Sequence, residues 1–330
     1  MPVSFKDTLV VGISSTALFD LRKSDEIFQK ARKKLGNDAA IRKYRKHMFN
    51  TENDALNAGT GMPVVKALLE LNEHGNDNDS PLVQVVVMSK NSPETGVRIL
   101  KNIRDFDLNI PRTVFTGGET VTDYLSAYDV DLFLTTDVQD GQRVADSRQC
   151  AVAILKEPPS SDKEEILDKV RIAFDGDAVL FDEESELVYK AKGLDKFLEH
   201  ERVHENDPMH EGPYAAFLKK LSRLQDRLPH QMELSPIRIA IVTARNSPAD
   251  IRVIKTLRHW GVYADAAFFM GGLEKTEVLK AFRPHIFFDD QDVHLKKASS
   301  IVPSGQVPYP SDSPLAKKKS KVKKKGKRKK

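Results

Sequence analysis

Short apolar runs recur along the chain. They read LVVGI at 9–13, VQVVVM at 83–88 and DLFLT at 131–135, then VRIAF at 170–174, IRIAIVT at 237–243 and HIFF at 285–288. Their length and β-branched content predict strands buried on both faces. Between them, VVKALLELN (64–72) and YAAFLKKLSRLQ (214–225) repeat apolar side chains at three- and four-residue spacing, the signature of amphipathic helices. Strand, helix and strand in alternation predict an α/β protein with a doubly wound parallel sheet.

The polar connections repeat as well as the apolar runs. Asn91-Ser92-Pro93 matches Asn246-Ser247-Pro248 at an offset of 155, and Gly117-Gly118 matches Gly271-Gly272 at 154. VDLFLTTD (130–137) matches PHIFFDDQ (284–291) at 154, ENDALNAG (52–59) matches ENDPMHEG (205–212) at 153, and ALFD (17–20) matches VLFD (179–182) at 162. Landmarks in the same order at nearly constant offset predict an internal duplication. The expected organisation is two tandem Rossmann-like units, at 1–150 and 170–302, joined by a linker at 151–169. Residues 303–316 (PSGQVPYPSDSPLA) read as an irregular linker leading to a Lys-rich, disordered tail that ends at 330.

Charge changes the picture in one place. The chain carries 52 Lys and Arg against 48 Asp and Glu, a net charge of +4. Residues 317–330 hold eleven of those bases and no acid, so the remainder has 41 bases against 48 acids. A mildly acidic body argues against a basic nucleic-acid-binding surface and leaves polyanion contact to the tail. Cys150 is the sole cysteine, which excludes an intramolecular disulfide or a thiolate metal cluster. No stretch approaches the roughly 20 apolar residues that span a bilayer. A soluble, cytoplasmic protein without membrane contact is expected.

Acids gather at the strand ends of the second copy only. VRIAF runs into Asp175-Gly176-Asp177, IRIAIV ends in Thr243, Lys275 follows the Gly-Gly turn, and HIFF runs into Asp289-Asp290. Ligands of open parallel sheets bind beyond the carboxyl ends of the strands, so these groups are expected in one crevice. Four mutually repelling carboxylates predict a divalent cation, and an all-oxygen set favours Mg²⁺. The repeat offsets pair Asp175 with Ile13, Asp177 with Ser15, Thr243 with Met88, Lys275 with Val121, and Asp289-Asp290 with Thr135-Thr136. The first copy is therefore expected to be a degenerate partner, leaving one active site per chain.

This set resembles the four motifs of the haloacid dehalogenase (HAD) superfamily of phosphotransferases. More closely, ISSTALFDL, NSPETG, FTGGE, AFDGDAVLF, VTARNSP, FFMGGLEK and RPHIFFDDQ resemble the cytosolic 5′-nucleotidase I family, from about residue 8 to about residue 295. The resemblance implies HAD-like units and Mg²⁺-dependent hydrolysis of nucleoside 5′-monophosphates, AMP or a related ribo- or deoxyribonucleotide. It implies Asp175 as nucleophile and Asp177 as proton donor and acceptor, with Thr243 and Lys275 holding the phosphoryl oxygens. The metal set it implies is Asp175, Asp177, Asp289 and Asp290, with Asp290 as direct acidic ligand, Asp289 acting directly or through water, and the backbone carbonyl of Asp177 contributing.

Residues 183–237 form an insertion where that superfamily places a cap over the site. Phe197, His204, Asn206 and Tyr214 are its candidates for holding base and ribose, with Arg245 and Asn246 in support. Asn246 has an alternative role in a turn, since Asn91 persists in the first copy. His200, His204 and His210 lack the spacing of a zinc site. A nucleotide effector such as ADP or ATP on the first copy and a homo-oligomer are further expectations. The competing readings are a phosphatase acting on another small phosphoester and a non-catalytic protein that binds nucleotides or RNA.

Overall fold

The computed structural model describes residues 5–75, 80–159, 169–228 and 235–316. The tail at 317–330 and most of 160–169 therefore lie outside the described residues. Among the described residues there are ten strands: β1 Leu9–Ile13, β2 Val83–Ser89, β3 Arg112–Phe115, β4 Leu132–Thr135 and β5 Ala151–Leu155, followed by β6 Val170–Phe174, β7 Ile237–Thr243, β8 Ala266–Phe269, β9 Ile286–Asp289 and β10 Ser304–Gln306. They form one sheet in the order β3-β2-β1-β4-β5-β10-β9-β6-β7-β8. Every pairing is parallel except β5 with β10, which is antiparallel. Six of the ten strands are those the apolar runs predict. The protein is mixed α/β with a mostly parallel central sheet, as expected.

Read inward from its edges, the sheet runs 3-2-1-4-5 on one side and 8-7-6-9-10 on the other, the same order with five added. Because the seam is antiparallel, the carboxyl ends of β1–β5 lie along the opposite edge from those of β6–β10. Local bonds also recur. Lys101 reaches Glu52 and Asn53 at 2.9 and 2.5 Å, and Lys255 reaches Glu205 and Asn206 at 2.5 and 2.7 Å. The Arg98 and Arg252 side chains donate to the Asp54 and Asp207 carbonyls. A helical pair follows the first strand of each half: Arg22–Leu35 with Asn37–Asn50, and Glu184–Lys192 with Leu194–Val203. Gly36 and Gly193 join the two pairs, each at φ 81°, a left-handed conformation that favours glycine.

The inner strands are buried on both faces, as a parallel sheet with helices on each side requires, while the edge strands β3 and β8 are half-buried. One face carries a core common to both halves. Across it, helix Met62–Glu70 of the first half reaches β6, and helix Ala215–Gln225 of the second reaches β1. On the other face each half keeps its own apolar cluster.

Several expectations need correction. Residues 151–155 are not linker but β5, and residues 303–316, irregular over most of their length, are no free linker. They supply β10 and then bury Val307, Tyr309 and Leu315. A three-residue strand followed by a Pro-Tyr-Pro segment has no periodicity to betray it. The second unit is not alone in carrying a helical insertion, since the first half holds the matching pair. Nor is all of 183–237 a cap: Tyr214, Phe217, Leu218, Leu221 and Leu224 bury one face of helix Ala215–Gln225 in the common core. The pairing of the halves also shifts. The Asp175 N–H donates to the Phe288 carbonyl just as the Ser14 N–H donates to that of Leu134, both at 2.8 Å, so Asp175 matches Ser14 and not Ile13. Likewise Met270 bonds Thr243 as Thr116 bonds Ser89, so Thr243 matches Ser89 and not Met88.

One half-buried histidine makes the fold acid-sensitive. The His285 Nδ1 accepts the Arg171 backbone N–H at 3.0 Å, and burial and the nearby guanidinium depress its imidazole to about 4. The unfolded chain takes up this proton near pH 6.5 and the folded chain only near 4. Stability contributed by the neutral ring is therefore complete above pH 6.5 and is lost as the pH falls to 4, amounting to about 3 kcal/mol at most. Urea denaturation across that window should give a flatter profile for His285→Asn than for the parent. Parallel profiles would refute this.

Candidate active site

Three adjacent strands, β9, β6 and β7, deliver the chemistry at their carboxyl ends. Asp175 directly follows β6, Thr243 is the last residue of β7, and Asp289 is the last residue of β9 with Asp290 behind it. Lys275 stands at the start of helix Thr276–Phe282. Asp175, Thr243, Lys275, Asp289 and Asp290 are all at most 5% exposed.

Lys275 joins the acids. Its Nζ lies 2.9 Å from Asp175 Oδ1 and 2.7 Å from Asp289 Oδ2. Asp289 is also bonded by the Gln291 N–H at 2.7 Å and lies 3.0 Å from His294 Nδ1. Asp175 Oδ1 accepts the Gly176 N–H at 2.7 Å, so Lys275 and this amide both engage the same oxygen. The Tyr309 hydroxyl donates to Asp290 Oδ2. Thr243 presses on the turn after β6, its Oγ1 lying 3.1 Å from where a Cβ on Gly176 would stand.

Burial and mutual charge set the protonation of this group. Burial pushes Asp175 up to about 7, with Lys275 opposing and Asp289 reinforcing the rise. Burial works the same way on Asp289, yet Lys275 and His294 hold it below the usual carboxylate range. Burial, then the charges of Asp175 and Asp289, drive Asp290 well above that range. Lys275 is desolvated, but its two carboxylates keep it cationic and raise its pKa.

Asp177 departs from this cluster. Arg245 grips it through Nε at 2.9 Å and Nη2 at 2.6 Å, while Arg245 Nη1 bonds Glu201. Glu201, on helix Leu194–Val203, is fully buried and also accepts from Ser185 at 2.8 Å and Arg252 at 3.0 Å. The rings of Phe181 and Phe197 flank the Arg245 guanidinium, at 5.8 and 5.5 Å from their centroids.

The candidates for holding base and ribose fare unequally. Phe197 reaches the site, though with its ring against Arg245. Arg245 itself is 3% exposed and turned onto Asp177 and Glu201, so it organises the site from within. His204 pairs with Asp207 at 2.9 Å, and Asn206 accepts from Lys255. That clamp is the one repeated at Asn53 and Lys101. Tyr214 has no exposed surface and packs against Phe174, Phe217 and Phe288, so it belongs to the core. Asn246 packs over Gly271 of the Gly-Gly turn, the structural alternative foreseen for it. His210 lies at 3.3 Å from Asp182, apart from the His200–His204 ring pair.

Sequence reasoning missed Glu201, Arg252, His294 and Tyr309. Glu201 left a signal: it falls one turn after Phe197 on the buried side of its helix, where an acid demands a partner. His294 lies five residues beyond Asp289, in the helix Asp292–Ala298 that follows β9.

The group suits a divalent cation. Ligand atoms of Asp175, Asp289 and His294 lie within 4.8 Å of one another. The donors are mostly hard oxygens, with one imidazole at the margin. Beside them stand an ammonium and a hydroxyl aimed at the same end of the sheet, a setting for a small anion that carries a leaving group.

The profile of the 5′-nucleotidase family matches residues 1–314. The chain is similar to human cytosolic 5′-nucleotidase 1B, with 34% identity over 306 residues that cover 91% of this chain and 48% of the relative. The chain thus spans about half the length of the curated relative it matches. No solved structure matches it.

Removing the ammonium would strand buried carboxylates. Lys275→Met is expected to lower stability in the presence of a chelator by about 3–5 kcal/mol. Adding Asp175→Asn should recover part of that loss, read as the midpoint of denaturant unfolding. Simple additivity of the two losses would refute the coupling.

Proposed function

Since the chain belongs to the 5′-nucleotidase family, we propose that it is a phosphoric monoester hydrolase that cleaves nucleoside 5′-monophosphates, AMP or a related ribo- or deoxyribonucleotide, to nucleoside and phosphate. The observation that carries this reading is the Asp175–Lys275–Asp289 cluster beside Thr243, at the carboxyl ends of three adjacent strands. The cytosol is the place we assign to it, in keeping with the relative's name. Among the described residues no helix is long and apolar enough to cross a membrane.

Asp175 is the nucleophile of this mechanism. Lys275 and the Gly176 N–H hold its Oδ1 and leave Oδ2 to face phosphorus. As the new Oδ2–P bond forms, the P–O5′ bond breaks, giving an aspartyl-phosphate and a nucleoside alkoxide that takes a proton from Asp177. Asp177 then accepts a proton from the water that attacks phosphorus, which regenerates Asp175 and releases phosphate. For either task Asp177 must exchange Arg245 for the substrate. Thr243 and Lys275 hold equatorial oxygens while charge develops on them. Mg²⁺ bound by Asp175, Asp289 and Asp290, with the Asp177 carbonyl, would neutralise phosphoryl charge.

We also infer that the halves descend from a duplication and that the first is catalytically inert. Hydroxyls stand where the second half has acids: Ser14 for Asp175, Thr135 for Asp289 and Thr136 for Asp290. A nucleotide effector, ADP or ATP, and self-association belong to the same reading, with polyanion contact left to the Lys-rich tail.

Phosphate release from a panel of nucleoside monophosphates and sugar phosphates tests this. Release from AMP-like substrates should fall at least 1,000-fold with EDTA and with Asp175→Asn, as roughly expected for loss of a nucleophile. Turnover of sugar phosphates alone would retain the mechanism and overturn the substrate. No turnover with intact nucleotide binding would favour a non-catalytic protein.

A further inference from the structure

The two halves share a backbone but differ in what links the helical pair to the strand ends. Counting eight residues from the matching glycines, Gly36 and Gly193, gives Tyr44 in the first half and Glu201 in the second. The residues they meet also match, because the Gly117 N–H bonds the Asn91 carbonyl at 3.0 Å and the Gly271 N–H bonds that of Arg245 at 3.2 Å. In the first half the link is neutral: Tyr44 Oη donates to Asn91 Oδ1 at 2.9 Å, and the same oxygen accepts from the Thr95 hydroxyl at 3.3 Å. In the second half it is charged and continues. Glu201 binds Arg245 through Nη1, and Arg245 places its other two nitrogens on Asp177.

A buried charge chain is a costly way to secure a helix when a tyrosine and an asparagine suffice at the matching place. Its presence only in the half with the acids gives it a purpose beyond packing. We infer that Glu201 is a positioning residue, holding Arg245 so that Asp177 stays near the scissile bond and is released when a substrate enters. Ser185 and Arg252 fix the far carboxylate oxygen, so the helical pair and the loop after β6 share one polar connection. Glu201 touches no substrate and acts only through Arg245.

The inference rests on the reading of Asp177 as proton donor, and two leaving groups separate it from a plain folding role. A nucleoside 5′ oxygen needs a proton to depart, whereas p-nitrophenolate does not. Glu201→Gln is expected to lower kcat/KM for AMP about 10- to 100-fold and kcat/KM for p-nitrophenyl phosphate by less than about threefold, because kcat/KM reports the step in which the leaving group departs, before the water that both substrates need is activated. Glu201→Asp, which keeps the charge, should restore part of the AMP rate. If Glu201→Gln does not fold, Arg245→Lys carries the same comparison, since an ammonium cannot grip both partners in a fork. Equal losses with both substrates, or no loss with either, would overturn the positioning role while leaving the hydrolase reading intact. A parent protein that turns over neither substrate would overturn both.

Discussion

The ammonium of Lys275 between Asp175 and Asp289 is the interaction on which the second half turns. Carboxylates buried this deeply cannot share a crevice as bare charges, and the sheet order leaves them no distance, because β9 and β6 are neighbours. One cation close to both acids makes the arrangement tenable: it opposes the rise that burial imposes on each, so Asp289 is held low while burial still carries Asp175 upward. The Gly271-Gly272 turn, packed by Asn246, leads the chain from β8 into the helix start that presents this lysine. A fold-level choice of strand order and a single side chain thus depend on each other.

The first half shows what the same backbone does without that charge. Its strand ends carry hydroxyls that satisfy one another, such as Ser15 with Ser89 at 2.9 Å and Thr16 with Thr136 at 2.6 Å. At the places that match the acids this crevice is neutral, its charges being the neighbouring Lys90 with Asp137 and Asp140, and Val121 occupies the place of Lys275. The antiparallel seam turns this crevice to the opposite edge of the sheet. Any influence of the first half on the second must therefore pass through the shared core or through the seam strands, not across a common mouth.

Much of this was written in the sequence, unevenly. Strands buried on both faces leave continuous apolar runs, so β1, β2, β4, β6, β7 and β9 were legible. β3 and β8 were not, since each is four residues long and only half-buried along its length. β5 and β10 hid in segments read as linkers. At the site Asp175, Thr243, Asp289 and Asp290 were visible because they stand at strand ends, and Lys275 because it follows the Gly-Gly turn. The Glu201–Arg245 link was not, because it is a tertiary pairing between a helix and a strand end 44 residues apart. Tyr214 misled for the opposite reason: an aromatic beside a Gly-Pro turn looks like a ligand platform, while helical spacing had already assigned it to the core.

β10 lies sixth of ten across the sheet although it is the tenth strand in sequence. During synthesis both half-sheets emerge before the strand that closes the gap between them. For that interval β5 and β9 each present an unpaired inner edge, the kind of surface that recruits other chains. Chain order therefore sets a period of exposure that ends only when residues 304–306 dock. The same docking brings Tyr309 to Asp290, so closure of the sheet and completion of the acid cluster are a single late event.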